Sequence, residues 1–264
     1  MKPLPKKHGI PVHTALALFL CLISAAAILF YYGAPPLTGD KRTDTLAGAV
    51  ILRFFISVFL LVLTVEFFPS CLADKRVSCK NLLWCIPSLA VAIVNFPFSA
   101  LINGTAQIVQ ANLIWLFLIK CVLIGLSEEI LFRGIIFRSL LEFFGKKEKS
   151  CFLPVLLGSA IFALFHFVNL LDGAGILAVL QQVGYTFLIG AMLSIVLLKT
   201  ENIWLCVFLH ALFDFGGLLI SDLGTGNPQD LTFWILTVAV GVLCAVQMII
   251  TLTAMVKQHK KPLR

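Results

Sequence analysis

Long apolar runs separated by short polar turns dominate this chain. They cover 13–32, 45–67, 82–101, 111–144, 151–170, 174–198, 203–220 and 231–256. Each is as long as, or longer than, the ~17–25 residues with which a helix crosses a hydrocarbon core. The pattern predicts an all-α, polytopic membrane protein with about eight transmembrane helices. Pro87 and Pro97 should kink the third span. The fourth is longer than a bilayer needs, so it should tilt or emerge at its end, where Arg138 and Glu142 appear. Ser24, Ala25, Ala26 and Ala27 are small enough for a signal-peptide cleavage site, but the apolar run continues to Tyr32, so an uncleaved anchor is expected. The chain divides into three N-terminal spans (1–110), a core of four spans (111–221), and a last span with a basic tail (222–264). No soluble domain, long linker or clear internal repeat interrupts this order.

Composition agrees. The chain is 60% hydrophobic and 12% charged, with a mean hydropathy of +1.02; ordinary globular chains are roughly 45–50% apolar and about 25% charged. The net charge of +7 does not point to nucleic acid, because the basic residues sit in short loops and at the termini. Lys2, Lys6, Lys7, Lys75, Arg76, Lys80, Lys146, Lys147, Lys149, Lys199, Lys257, Lys260, Lys261 and Arg264 all fall on one side of an eight-span topology, and the other side holds only Lys41 and Arg42. The positive-inside rule then puts both termini in the cytoplasm. The eight cysteines are scattered without a C-x-x-C pair, so neither a disulfide framework nor a cysteine zinc site is expected.

Against this background the stretch 124–133, I-G-L-S-E-E-I-L-F-R, stands out. It places Glu128, Glu129 and Arg133 inside the fourth apolar run, where each charge costs at least ~2.5–3.5 kcal/mol at a bilayer centre. His166 in the fifth span, and His210 and Asp214 in the seventh, are the other ionisable groups at membrane depth that invite a functional reading. His210 and Asp214 are four apart and share a helix face, as do Glu129 and Arg133. Arg133 is placed to neutralise one carboxylate and leave the other for chemistry. Glu128 faces about a hundred degrees away from Glu129, and carboxylates in different environments can divide acid and base roles. Arg53 and Lys120 also lie at or near membrane depth without an evident partner, whereas Gln181 and Gln182 suit helix packing.

Two chemistries fit these residues. Glu128, His166, His210 and Asp214 can ligate a divalent metal such as zinc for metal-assisted hydrolysis. Without metal, Glu128 can take a proton from water while His166, His210 and Asp214 form an acid and oxyanion-stabilising cluster. No H-E-x-x-H zincin motif, no G-x-S-x-G frame around Ser127, no P-loop and no G-x-G-x-x-G occurs.

The segments S-E-E-I-L-F-R-G (127–134), F-A-L-F-H (162–166) and H-A-L-F-D (210–214) resemble the E-E-x-x-x-R, F-x-x-x-H and H-x-x-x-N/D motifs of the CPBP family. This is the group of type II CAAX prenyl endopeptidases and bacteriocin-processing or immunity (Abi) proteins. The resemblance covers roughly 113–220. It implies an eight-helix intramembrane protease with a cavity open to the cytoplasm. By the same resemblance Glu128 activates the water, His166, His210 and Asp214 serve as metal ligands or oxyanion stabilisers, and Glu129 and Arg133 support the site. Asp214 stands where the eukaryotic prenyl proteases carry Asn. That extra carboxylate favours a metal slightly and weakens a direct transfer of the oxyanion-hole role.

The expected partners are a peptide or membrane-protein substrate and the lipid bilayer, with no nucleic acid; the expected location is a multi-pass position in a bacterial plasma membrane. A catalytically idle immunity or regulatory partner is the competing class. A proton- or cation-coupled transporter is a third, disfavoured by the lack of paired repeats.

Overall fold

A computed structural model describes residues 38–72, 77–148, 151–171 and 173–259. It is an all-α membrane fold. Among the described residues six helical spans are long and apolar enough to cross a membrane. The first expected span, 13–32, lies outside the described residues.

Helix α1 runs Lys41–Phe67. It begins four residues before the apolar run because Asp40 caps it, accepting a hydrogen bond from the Thr43 N–H at 2.9 Å. The span α2, Cys79–Asn103, is broken as its prolines require. Pro87 sits in the first turn of the segment Ile86–Val94, where its missing N–H costs nothing. The chain then breaks at Asn95–Pro97 before a short turn of helix, Phe98–Asn103.

The fourth run divides into three. Helix α3 covers Ile114–Glu129, a π-helical segment covers Ile130–Phe137, and α4 covers Arg138–Glu148. Helix α5, Phe152–Phe165, ends in a 3-10 turn, His166–Leu170. Helix α6 is Ile176–Thr200, α7 is Ile203–Leu223 and α8 is Leu231–His259.

Large apolar side chains such as Val58, Ile119, Val242 and Leu243 face outward. In water such a surface would aggregate, whereas in a bilayer it faces its own solvent. The two ends of the bundle differ. At one end, β1 (Ala106–Ile108) pairs antiparallel with β2 (Gly224–Gly226), and Arg42 donates to the Gly224 carbonyl at 3.1 Å. At the other end, Trp204 donates to the Leu72 carbonyl at 3.3 Å, and the Lys199 ammonium sits 4.9 Å from the Trp84 ring centre. The segment 102–110, expected to be plain loop, thus contributes a strand that ties α2 to the end of α7.

The main apolar core fills the half of the bundle nearer Trp204. It includes Cys71, Ile130, Phe137, Val155, Leu193, Val196, Ile203 and Cys206. The other half holds a cavity.

Candidate active site

The close approach of α3 to α7 builds the site. Gly125 makes it possible. A Cβ at this position would lie 2.9 Å from the Val207 carbonyl oxygen and 3.1 Å from the Ala211 nitrogen, both backbone atoms. One turn further on, Glu129 meets His210 across the same seam.

Glu129 is fully buried, and its Oε1 accepts two hydrogen bonds. Arg133, one turn along the same helix, donates from Nη1 at 2.8 Å. His210 Nδ1 lies at 2.6 Å. A carboxylate facing a guanidinium accepts, so Nδ1 donates in this pair and Nε2 is left for other partners. Nε2 faces two further carboxylates, Asp214 Oδ2 at 3.7 Å and Glu128 Oε2 at 3.8 Å. The Arg133 guanidinium stacks 4.3 Å from the centre of the Phe162 ring. The face of α5 that carries F-A-L-F-H therefore closes over the Glu129–Arg133 pair.

Glu128 points elsewhere. It lines the cavity, and its Oε1 accepts from Arg53 Nη1 of α1 at 3.2 Å. Arg53 also reaches Ser127 Oγ at 3.5 Å. The two neighbouring acids thus face different partners: Glu129 a buried Arg and a His, Glu128 a half-buried Arg and the cavity space.

His166 sits where α5 passes into its 3-10 turn. Its Nδ1 is 2.9 Å from the Phe162 carbonyl oxygen. A carbonyl can only accept, so Nδ1 donates and Nε2 is free. His166 packs edge-to-face on Phe162 at 5.0 Å between ring centres, and His210 does so from another side at 5.8 Å. Phe162 thus spaces the two imidazoles within one wall. All six residues singled out in the sequence belong to this neighbourhood. Glu128, His166, His210 and Asp214 line the cavity, and Glu129 and Arg133 stand behind it.

The cavity encloses about 670 Å³, within the range of small-ligand pockets. Asn95, Gln181, Gln182 and Tyr185 add polar groups to its apolar walls. Asn95 donates to the Phe213 carbonyl at 2.8 Å, anchoring the break in α2 against α7. Arg53 is the site residue left without a role by sequence reasoning. Its depth in α1 was the signal, and its partner lies 75 positions away. Lys120, the other such cation, pairs with Asp222 at 2.6 Å outside the site.

The donors do not fit a metal as they stand. Among the described residues no group of three or more His, Cys, Asp or Glu side chains is arranged to hold one. His166 does not join His210, Glu128 and Asp214 in one ligand set, and Glu128 already faces a fixed cation in Arg53. A metal on Glu128 would meet that charge at close range.

An all-α membrane bundle with a carboxylate–imidazole cluster in an internal cavity defines the class. Residues 110–216 match the family model described as type II CAAX prenyl endopeptidase Rce1-like. Over that region the chain is similar to the CAAX-protease family. No curated protein and no solved structure matches the chain.

Proposed function

We propose that the chain is an endopeptidase that hydrolyses a peptide bond within the membrane, using a water activated by Glu128. The observation that supports this most is the one cavity that Glu128, His166, His210 and Asp214 all line, with Glu129 and Arg133 holding His210 from behind. Glu128 takes a proton from water as the water oxygen bonds to the scissile carbonyl carbon. The neutral His166 ring, with its lone pair on Nε2, accepts from the same water and orients it. His210, doubly protonated between the Glu129 and Asp214 carboxylates, donates from Nε2 to the oxyanion that forms. Glu128 then passes its proton to the leaving nitrogen as the C–N bond breaks, giving a carboxylic acid and an amine. Arg53 holds the Glu128 carboxylate in place. No step in this scheme is routed through a metal.

The substrate class is a peptide or a segment of a membrane protein, with CAAX-type or bacteriocin and pheromone precursors as the candidates. The setting is a bacterial plasma membrane. Reconstituted protein should cleave members of a fluorogenic peptide library, and Glu128→Gln should lower the rate by at least ~10²-fold while the detergent-extracted protein keeps its melting temperature. Cleavage should survive a strong zinc chelator. A folded Glu128→Gln variant with full cleavage would refute the mechanism. Full biological activity in that variant would mark the chain as an idle binding partner.

A further inference from the structure

We infer that the cavity opens on the exoplasmic face of the membrane, so that the enzyme takes an exported peptide or an exoplasmic juxtamembrane segment. The substrate part of this inference rests on the hydrolytic reading above; the side of the opening does not.

The argument starts from which half of each helix lines the cavity. Helix α6 contributes residues from Ala178 to Ile189, and α8 contributes Phe233 to Gly241. Both are the first halves of their helices. Helix α7 contributes His210 to Leu218, α5 contributes Phe162 onward, and α2 contributes Val91 to Pro97. These run from the middle of α7 and from the second halves of α5 and α2. In an alternating bundle all five lie at one end, the end where β1 pairs with β2. Residues of the connecting segments there, Asn169, Ala174, Pro228 and Gln229, also line the cavity, and Ala174 and Gln229 are exposed. Among the described residues the opposite end contributes nothing to the lining. There Leu193, Val196, Ile203 and Cys206 pack with Ile130 and Phe137 into the apolar core, which closes the cavity floor.

The charges then decide which end is which. Lys80 and Lys199 lie at the closed end, and the sequence joining the helices there also contains Lys75, Arg76, Lys146, Lys147 and Lys149. Connections at the open end carry Lys41 and Arg42 alone among Lys and Arg, together with Asp222 and Asp230. Basic loops stay in the cytoplasm, so the mouth faces away from it. This is the reverse of the cytoplasmic opening that the family resemblance implies. The lining suits a polypeptide. Uncharged amides at Asn95, Asn169, Gln181, Gln182 and Gln229 can pair with a peptide backbone, and a cavity of about 670 Å³ admits a short extended stretch and no folded domain.

Two residues make the test direct. Cys79 is exposed at the closed end, and Gln229 is exposed at the mouth. In a background with the other cysteines replaced, a membrane-impermeant maleimide is applied to sealed right-side-out vesicles. A Gln229→Cys chain that lacks Cys79 should be labelled, and a chain with Cys79 alone should be labelled only after permeabilisation. Any other pattern overturns the assignment of sides. A peptide library added outside the same vesicles should be cleaved at least ten-fold faster than in inverted vesicles, and Glu128→Gln should abolish the cleavage. Cleavage confined to inverted vesicles overturns the substrate side. No cleavage in either, with the labelling as expected, refutes hydrolysis while upholding the exoplasmic mouth.

Discussion

Glu129 and Arg133 are among the most buried side chains of the described residues, at 0% and 2% exposure, and each is the other's counter-charge. Removing one strands the other in a medium of low dielectric, which typically costs about 3–5 kcal/mol. Glu129→Gln and Arg133→Met should each lower the melting temperature in detergent markedly. The double variant should be less destabilised than the sum of the two, because neither charge is left alone. Additive losses in a thermal-shift series would mean that the pair is not coupled. The six candidate residues could be singled out in the sequence because an ionised group in an apolar run is costly wherever it points. Arg53 and Lys120 were visible for the same reason, but their partners were not. Glu128 and Asp222 lie 75 and 102 positions away, and only the packing of α1 on α3 and of α3 on α7 brings them together.

The elements followed the apolar runs closely, and their ends departed from them where polar groups take over. Asp40 started α1 early, and Asp230 fixes the start of α8. The Asp230 carboxylate accepts from the Phe233 N–H, the Ser99 hydroxyl and the Asn103 amide, each at 2.8 Å. The Phe233 N–H first, and Ser99 next, hold its pKa below the ordinary carboxylate value. A group with a lowered folded pKa stabilises the fold above its unfolded pKa of ~3.9 and loses that contribution as pH falls through the folded value. Asp230→Ala should therefore melt at a lower temperature than the parent at neutral pH, and the gap should close in acid. A gap independent of pH would assign the loss to packing. The π-helical segment was not legible, because a change to i→i+5 bonding over eight residues leaves an apolar run apolar. It follows directly on Glu129, where such bulges commonly mark functional sites. The glycines test the seam beside it. Gly125→Ala would press a methyl on the α7 backbone, which cannot yield as a side chain can, and should lower both stability and cleavage. Gly48→Ala in α1 meets nothing within 4 Å and should be neutral or stabilising by up to ~1 kcal/mol. Equal effects of the two in melting and cleavage assays would deny that α3 and α7 touch at Gly125.

At the scale of the molecule, the loop charges carry an expectation of orientation, but the half that holds the cavity left no mark in the sequence. The structure places the imidazoles of His166 and His210 against the one Phe162 ring. The division into a hollow half and a packed half has a consequence for dynamics. In α6 the residues Ile189–Leu197 are buried without interruption, whereas only Val179 and Thr186 are buried before them. Water that fills the cavity reaches the first half of α6 and not the second. Amide exchange requires both water and local opening, and opening is least costly where few apolar contacts hold the backbone. Hydrogen exchange in nanodiscs should therefore be faster over 177–188 than over 190–197, and a ligand that occupies the cavity should slow the first segment selectively. Equal protection along α6, or faster exchange beside the Leu193–Val196 core, would show that the packed half is not the sealed end of the bundle.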